Sequence, residues 1–159
     1  MTDELTVRNL ADLTSTEFRR LERLEVSARQ EVLGKSFAES LEDWRAAPRD
    51  ATLGVCFEWQ GQPVGLAVFN RVPELKAASI HGLKIALPWQ GRGWGHVAFA
   101  QAVGRMMELW PDVDTLRLSV DAENAPALTI YRAFGMVDRV PPCEGPNGMQ
   151  HLMHVALVR

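Results

Sequence analysis

Two cysteines in 159 residues, Cys56 and Cys143, are too few for a disulfide framework or a cysteine-built metal site, and no metal is expected. No apolar run approaches the roughly 18 residues of a membrane span. The opening Met1-Thr2-Asp3-Glu4 is acidic and no apolar stretch follows it, so no signal peptide is expected. Positive charge is also scarce, with 17 Lys and Arg against 20 Asp and Glu and a formal net charge of −3. That balance leaves no footprint for nucleic acid or for an anionic membrane. Internal repeats, linkers and low-complexity tracts are all missing. What remains is a cytoplasmic, reduced protein of one domain over residues 1–159, long enough to bury about two-thirds of its unfolded surface.

The chain is richest in information from Ser79 to His96, where a strand pattern runs into glycines and then into a helix. Ser79, His81, Leu83, Ile85 and Leu87 share one parity, and Pro88 ends the ladder. Gly91, Gly93 and Gly95 let the backbone curl with its N–H groups inward at a helix start, which favours a phosphate. The spacing G-x-G-x-G is not the dinucleotide fingerprint G-x-G-x-x-G. The P-loop pattern is unmatched too, since Gly34-Lys35-Ser36 has Arg29 where that loop needs its first glycine.

The remaining elements follow from periodicity. Leu5, Val7 and Leu10 suggest a first strand, and Thr14 with Glu17 forms a capping box for a helix. Its apolar stripe of Phe18, Leu21, Leu24, Ala28 and Val32 predicts a helix running to Gly34. Ser36 with Glu39 caps a second helix that stops before Pro48. Alternation over Leu53, Val55, Phe57 and Trp59 predicts a half-buried strand, with Val64 to Phe69 returning as a hairpin and Asn70 to Lys76 as loop. Phe99, Val103, Met106 and Trp110 mark a helix, Leu116 to Val120 a strand, and Asn124 to Gly135 another helix. Met136 to Val140 and Gln150 to Val158 are strands, and the proline-rich Pro141 to Gly148 between them is loop.

Gln90-Gly91-Arg92-Gly93-Trp94-Gly95 resembles the Q/R-x-x-G-x-G/A acyl-CoA motif of the GNAT superfamily of N-acetyltransferases. Val120-Asp121-Ala122-Glu123-Asn124-Ala125-Pro126-Ala127-Leu128-Thr129-Ile130-Tyr131-Arg132-Ala133-Phe134-Gly135-Met136 is similar to that family's V-x-x-x-N-x-x-A-x-x-x-Y-x-x-x-G-F segment, with Met136 replacing phenylalanine. The resemblance is specific from Ser79 to Gly135 and extends to the N-terminal third in element order only. It implies an α+β, GNAT acyl-CoA N-acyltransferase fold, a mixed and mostly antiparallel sheet of about seven strands flanked by about four helices.

By this resemblance acetyl-CoA is the co-substrate, and its acetyl group goes directly to a primary amine of a small molecule or peptide. Rival expectations are a non-catalytic acyl-CoA-binding or regulatory module, and an enzyme using a longer acyl-CoA. A homodimer is among the assemblies it allows. The resemblance assigns the coenzyme to Gln90, Gly91, Arg92, Gly93, Trp94, Gly95 and His96, to Leu83 and Ile85 on the strand, and to Asn124 and Ala127. The Ile85 N–H would meet the acetyl oxyanion, and Asn124, which also reads as an N-cap, the pantetheine arm. His96 is either an anion partner or simply exposed, and the rings of Trp89 and Trp94 pack. Tyr131, the only tyrosine, is the implied general acid toward the leaving thiolate. Ser79 stands where several members carry a glutamate base. His81 two residues on, Glu74 before it, or a water relay would take the amine's proton. Glu25, Glu31, Glu39, Glu42 and Asp43 form an acidic set on the first helices that reads either as attraction for an amine or as a wet face.

Overall fold

The computed structural model describes residues 4–27 and 34–159. In chain order these form β1 (Thr6–Asn9), α1 (Ser15–Glu22), α2 (Phe37–Ala46), β2 (Thr52–Trp59), β3 (Gln62–Val72), β4 (Ala77–Ile85), α3 (Trp94–Leu109), β5 (Thr115–Asp121), α4 (Ala125–Phe134), β6 (Val137–Asp138), β7 (Cys143–Gly145) and β8 (Gly148–Ala156). The strands make one sheet in the order β1-β2-β3-β4-β5-β8-β6, with β7 also on β8. Only β4 and β5 pair in parallel, over the three rungs Ala77↔Thr115 to Ser79↔Arg117. The α+β architecture expected from the sequence, a sheet of about seven strands, is therefore present, with eight strands among the described residues.

Helices cover both faces of the sheet. On one, Phe99, Val103 and Met106 of α3 and Leu128 of α4 pack on Val55, Phe57, Phe69 and Ile80. On the other, Phe18 and Leu21 of α1 and Phe37 and Leu41 of α2 pack on Cys56, Leu66 and Val68. β2 is accordingly buried on both faces, where alternation alone predicted a half-buried strand.

Both capping boxes form. The Thr14 hydroxyl accepts from Glu17 N–H at 3.2 Å, and the Ser36 hydroxyl from Glu39 N–H at 3.1 Å. The expected run of α1 to Gly34 does not occur, because the helix ends at Glu22. Val26 instead joins the second core, and Glu25 C=O accepts from Leu87 N–H at 2.7 Å. Ala28, Glu31 and Val32 lie outside the described residues. β3 runs on to Val72, shortening the expected loop before β4. The proline-rich segment after β6 also carries a strand, since Pro146 and Asn147 turn the chain and Cys143–Gly145 pairs back onto β8. β6 itself is only two residues long.

Candidate active site in the cleft between β4 and β5

The site begins where the parallel pairing ends. Past Ser79 and Arg117 the two strands diverge while β5 stays paired with β8 as far as Asp121. β4 also bulges: Val68 faces His81 and Leu66 faces Lys84, so an extra residue lies on β4, and Gly82 takes φ 69°. The resulting cleft has a volume of about 350 Å³. Ile80, His81, Gly82, Leu83 and Lys84 form its β4 wall, and Ser119, Val120 and Asp121 its β5 wall. Asn124 and Tyr131 reach it from α4, Lys35 and Ser40 from the α2 side, and Asn147 and Gln150 from the β7–β8 hairpin. Ala86 N–H donates to Val64 C=O at 2.8 Å. Neighbouring strand amides alternate in direction, so the Ile85 N–H turns the other way, into the gap.

Below the cleft, Gly91 and Gly93 both hold left-handed backbone, at φ 78° and 75°. Gly93 is the N-cap of the 16-residue α3 and offers no side-chain cap, so the first N–H groups of the helix have no side-chain cap there. A Cβ at either glycine would meet nothing within 4 Å, so the space beside the loop is open at the positive end of a helix dipole. Gly95 also carries a packing constraint. It lies inside α3 at ordinary φ, and a Cβ there would come 2.6 Å from Ile130 Cδ1 of α4. It is a packing glycine that brings the two helices of the site together.

Several side chains around this loop make contacts within the fold. Gln90 Nε2 donates to Ile85 C=O at 2.8 Å, tying the loop to the end of β4. The Arg92 guanidinium lies 5.6, 5.1 and 5.4 Å from the ring centroids of Trp59, Trp89 and Trp94. These rings also contact one another at 5.3 to 6.1 Å. His96 is exposed in the first turn of α3. Asn124 Oδ1 accepts from Ala127 N–H at 3.4 Å, so its expected N-cap role is realised while its side chain also borders the cleft.

Tyr131 and His81, assigned to catalysis from the sequence, line the same cleft. The tyrosine ring packs on Phe99 with centroids 5.2 Å apart. Burial alone pushes its phenol up to about 12, so the hydroxyl keeps its proton at neutral pH. His81 Nε2 lies 2.9 Å from Asn70 Nδ2. Its imidazole is pulled below its ordinary value, first by desolvation in the cleft wall, then by the Lys35 and Lys84 charges against an opposing Asp43. A neutral, proton-accepting imidazole at pH 7 follows. Glu74 sits in the turn Pro73–Leu75 and is not among the residues that line the cleft. Ser79 ends the parallel rungs.

Lys84 went unassigned in the sequence. It is 8% exposed, with Nζ donating to Ser40 Oγ and, at 3.5 Å, to Ser36 C=O. Its Nζ lies 5.8 Å from the Phe37 ring. Desolvation brings its ammonium down to about 8. The hint in the sequence was a lysine alternating with Leu83 and Ile85 on a strand otherwise apolar at that end.

Among the described residues, no group of three side chains is placed to hold a metal ion, and no helix is long and apolar enough to cross a membrane. The family model described as Acetyltransferase (GNAT) family matches residues 17–136. No curated protein is a recognisable relative by sequence. Solved structures share the fold at low identity. A spermidine N-acetyltransferase from Vibrio cholerae in complex with CoA and spermine superposes with a TM-score of 0.77 at 20% identity, covering 98% of this chain and 96% of that one. An aminoglycoside acetyltransferase in complex with coenzyme A gives 0.73 at 15%, covering 96% and 95%. The ribosomal-protein-S18-alanine N-acetyltransferase from Escherichia coli gives 0.71 at 18%, covering 96% and 94%. The family match spans the glycine loop, the two strands that part to open the cleft and α4, and on it the chain belongs to the GNAT family of acetyltransferases.

Proposed function

We propose that the protein transfers the acetyl group of acetyl-CoA directly to a primary amine of a small molecule or peptide. The observation that carries this reading is the placement of Tyr131 and His81 in one cleft, opened by the divergence of β4 and β5, with an open glycine turn leading into α3. Acetyl-CoA supplies the activated acyl group. The N–H groups following Gly91 and Gly93, with the start of α3, hold the pyrophosphate, and the side chain of Asn124 meets the pantetheine arm. The Ile85 N–H donates to the acyl oxygen as negative charge builds there. His81 takes a proton from the attacking amine, through Nε2 once Asn70 shifts or by way of a water.

Tyr131 donates a hydrogen bond to the departing sulfur. As the C–S bond breaks the sulfur gains negative charge, and the phenol proton bridges to it in a charge-assisted hydrogen bond and passes to it, water returning a proton to Tyr131. Tyr131→Phe should therefore lower kcat by about 10- to 100-fold, the worth of one hydrogen bond to a charged group, with coenzyme affinity unchanged. The assay is thiol release from acetyl-CoA with a panel of primary amines. Turnover of no amine would favour the non-catalytic reading, and full activity in Tyr131→Phe would remove that residue from the chemistry.

A further inference from the structure

We infer that the acceptor carries a carboxylate as well as its amine, and that Lys84 is the residue that binds it. The inference rests on the amine-acetylation reading for the word acceptor, but the binding site itself stands on Lys84 and its surroundings. A buried ammonium needs an opposite charge or a full set of hydrogen bonds. Lys84 Nζ has three protons, and two meet the neutral oxygens of Ser40 and Ser36.

Among the described residues no carboxylate lies within ion-pair distance of it. Among the described residues the two acidic groups that act on its charge are already engaged. Glu39 accepts from Ser36 N–H at 3.1 Å in the capping box, and Asp43 pairs with Lys35. Lys84, Gly82 and Ser40 all border the cleft, and a Cβ at Gly82 would sit 3.7 Å from Lys84 Nζ and 3.3 Å from Ser40 Oγ, so the glycine keeps bulk away from the ammonium and its partner. Lys84 and His81 on β4 and Lys35 from the α2 side thus line the cleft, while the one acidic side chain lining it among the described residues, Asp121, lies across on β5 beside Asn147. A polycation would meet the Lys84 charge directly. An amino acid or a short peptide places its carboxylate on it.

The test needs no turnover. N-acetylated amino acids and dipeptides, the products of such a reaction, are titrated calorimetrically into the protein saturated with CoA, each beside its uncharged carboxamide. Carboxylates should bind about 10- to 100-fold more tightly than their carboxamides, and Lys84→Met should remove most of that preference while CoA affinity holds. Lys84→Arg should recover part of it. Equal binding of each pair, no binding of any, or a preference that survives Lys84→Met would overturn the inference. The wild-type comparison decides the matter even where a Lys84 variant fails to fold. Amino acids binding before dipeptides, or the reverse, identifies the source of the carboxylate. Should carboxylate binding stand while no amine accepts an acetyl group, the catalytic reading falls and this one remains.

Discussion

A lysine held at about 8 against an ordinary 10.5 must leave a mark on stability. Between those values the unfolded chain carries one more proton than the folded one, so folding becomes more favourable as pH rises through that window. Below about 8 the whole desolvation burden is present, and near 10.5 it has gone. The difference of about 2.5 units corresponds to about 3 kcal/mol, and burial of the side chain leaves little solvent screening to reduce it. Two other groups act in the opposite sense. Burial raises the Cys56 thiol from 9.0 to about 12, and Tyr131 to about 12, so each favours unfolding as pH climbs above its ordinary value. The wild-type curve should therefore rise past pH 8 and flatten once Cys56 begins to count. Lys84→Met isolates the first effect, because Cys56 and Tyr131 are common to both proteins. Urea unfolding of the two across this window should show their free-energy difference shifting toward the wild type by about 3 kcal/mol as pH rises. Parallel curves would mean that Lys84 is solvated in the folded protein, and the picture of a buried ammonium would be refuted.

Three further outcomes are expected. His81→Ala should lose activity mainly near neutrality and flatten the acid limb of the kcat/KM profile, and a profile of unaltered shape would exclude His81 as the base. Gly93→Val has room for its side chain but must adopt φ 75°, at about 1–2 kcal/mol. It should fold and yet lose thermal protection by CoA, and unchanged protection would remove the phosphate assignment of the loop. Gly95→Ala overpacks Ile130 Cδ1 and should cost about 1–3 kcal/mol. Ile130→Val deletes that carbon, so the double variant should recover about 1 kcal/mol or more relative to additivity, and strict additivity in unfolding measurements would contradict the contact.

The parts of the fold legible in the sequence are those settled by bonds a few residues apart. The Thr14–Glu17 and Ser36–Glu39 boxes close within one helical turn, and Gly135 ends α4 at φ 109° because a left-handed cap needs no distant partner. Failures came where remote residues decide. Nothing in the sequence from Arg23 to Ser27 announces the end of α1, where Leu87 N–H binds Glu25 C=O and Val26 enters the core. Gly95 carries, besides its place in the motif, a contact with Ile130 on another helix that no local pattern states. Trp59 joins the Arg92 cluster from β2, which no local spacing indicates. Lys84 had the right parity to face α2, but its burial depends on where Ser36 and Ser40 lie.

The burden that Lys84 places on the folded protein bears on why the cleft is built this way. A methionine of similar length would fill the space beside Phe37 without desolvating a charge, and the burden at neutral pH would vanish. Neutral hydroxyl and carbonyl partners only partly offset it, because neither Ser40 nor Ser36 supplies opposite charge. An anion in the cleft would supply that charge, raise the lysine back toward its ordinary value and make the ammonium stabilising in the complex. Local instability in the free protein and affinity in the bound one then have a single physical origin. Removing the side chain should move the two in opposite directions, with stability at neutral pH gaining its desolvation share and carboxylate binding falling. A packing role alone would move stability and leave the discrimination between carboxylate and carboxamide where it was.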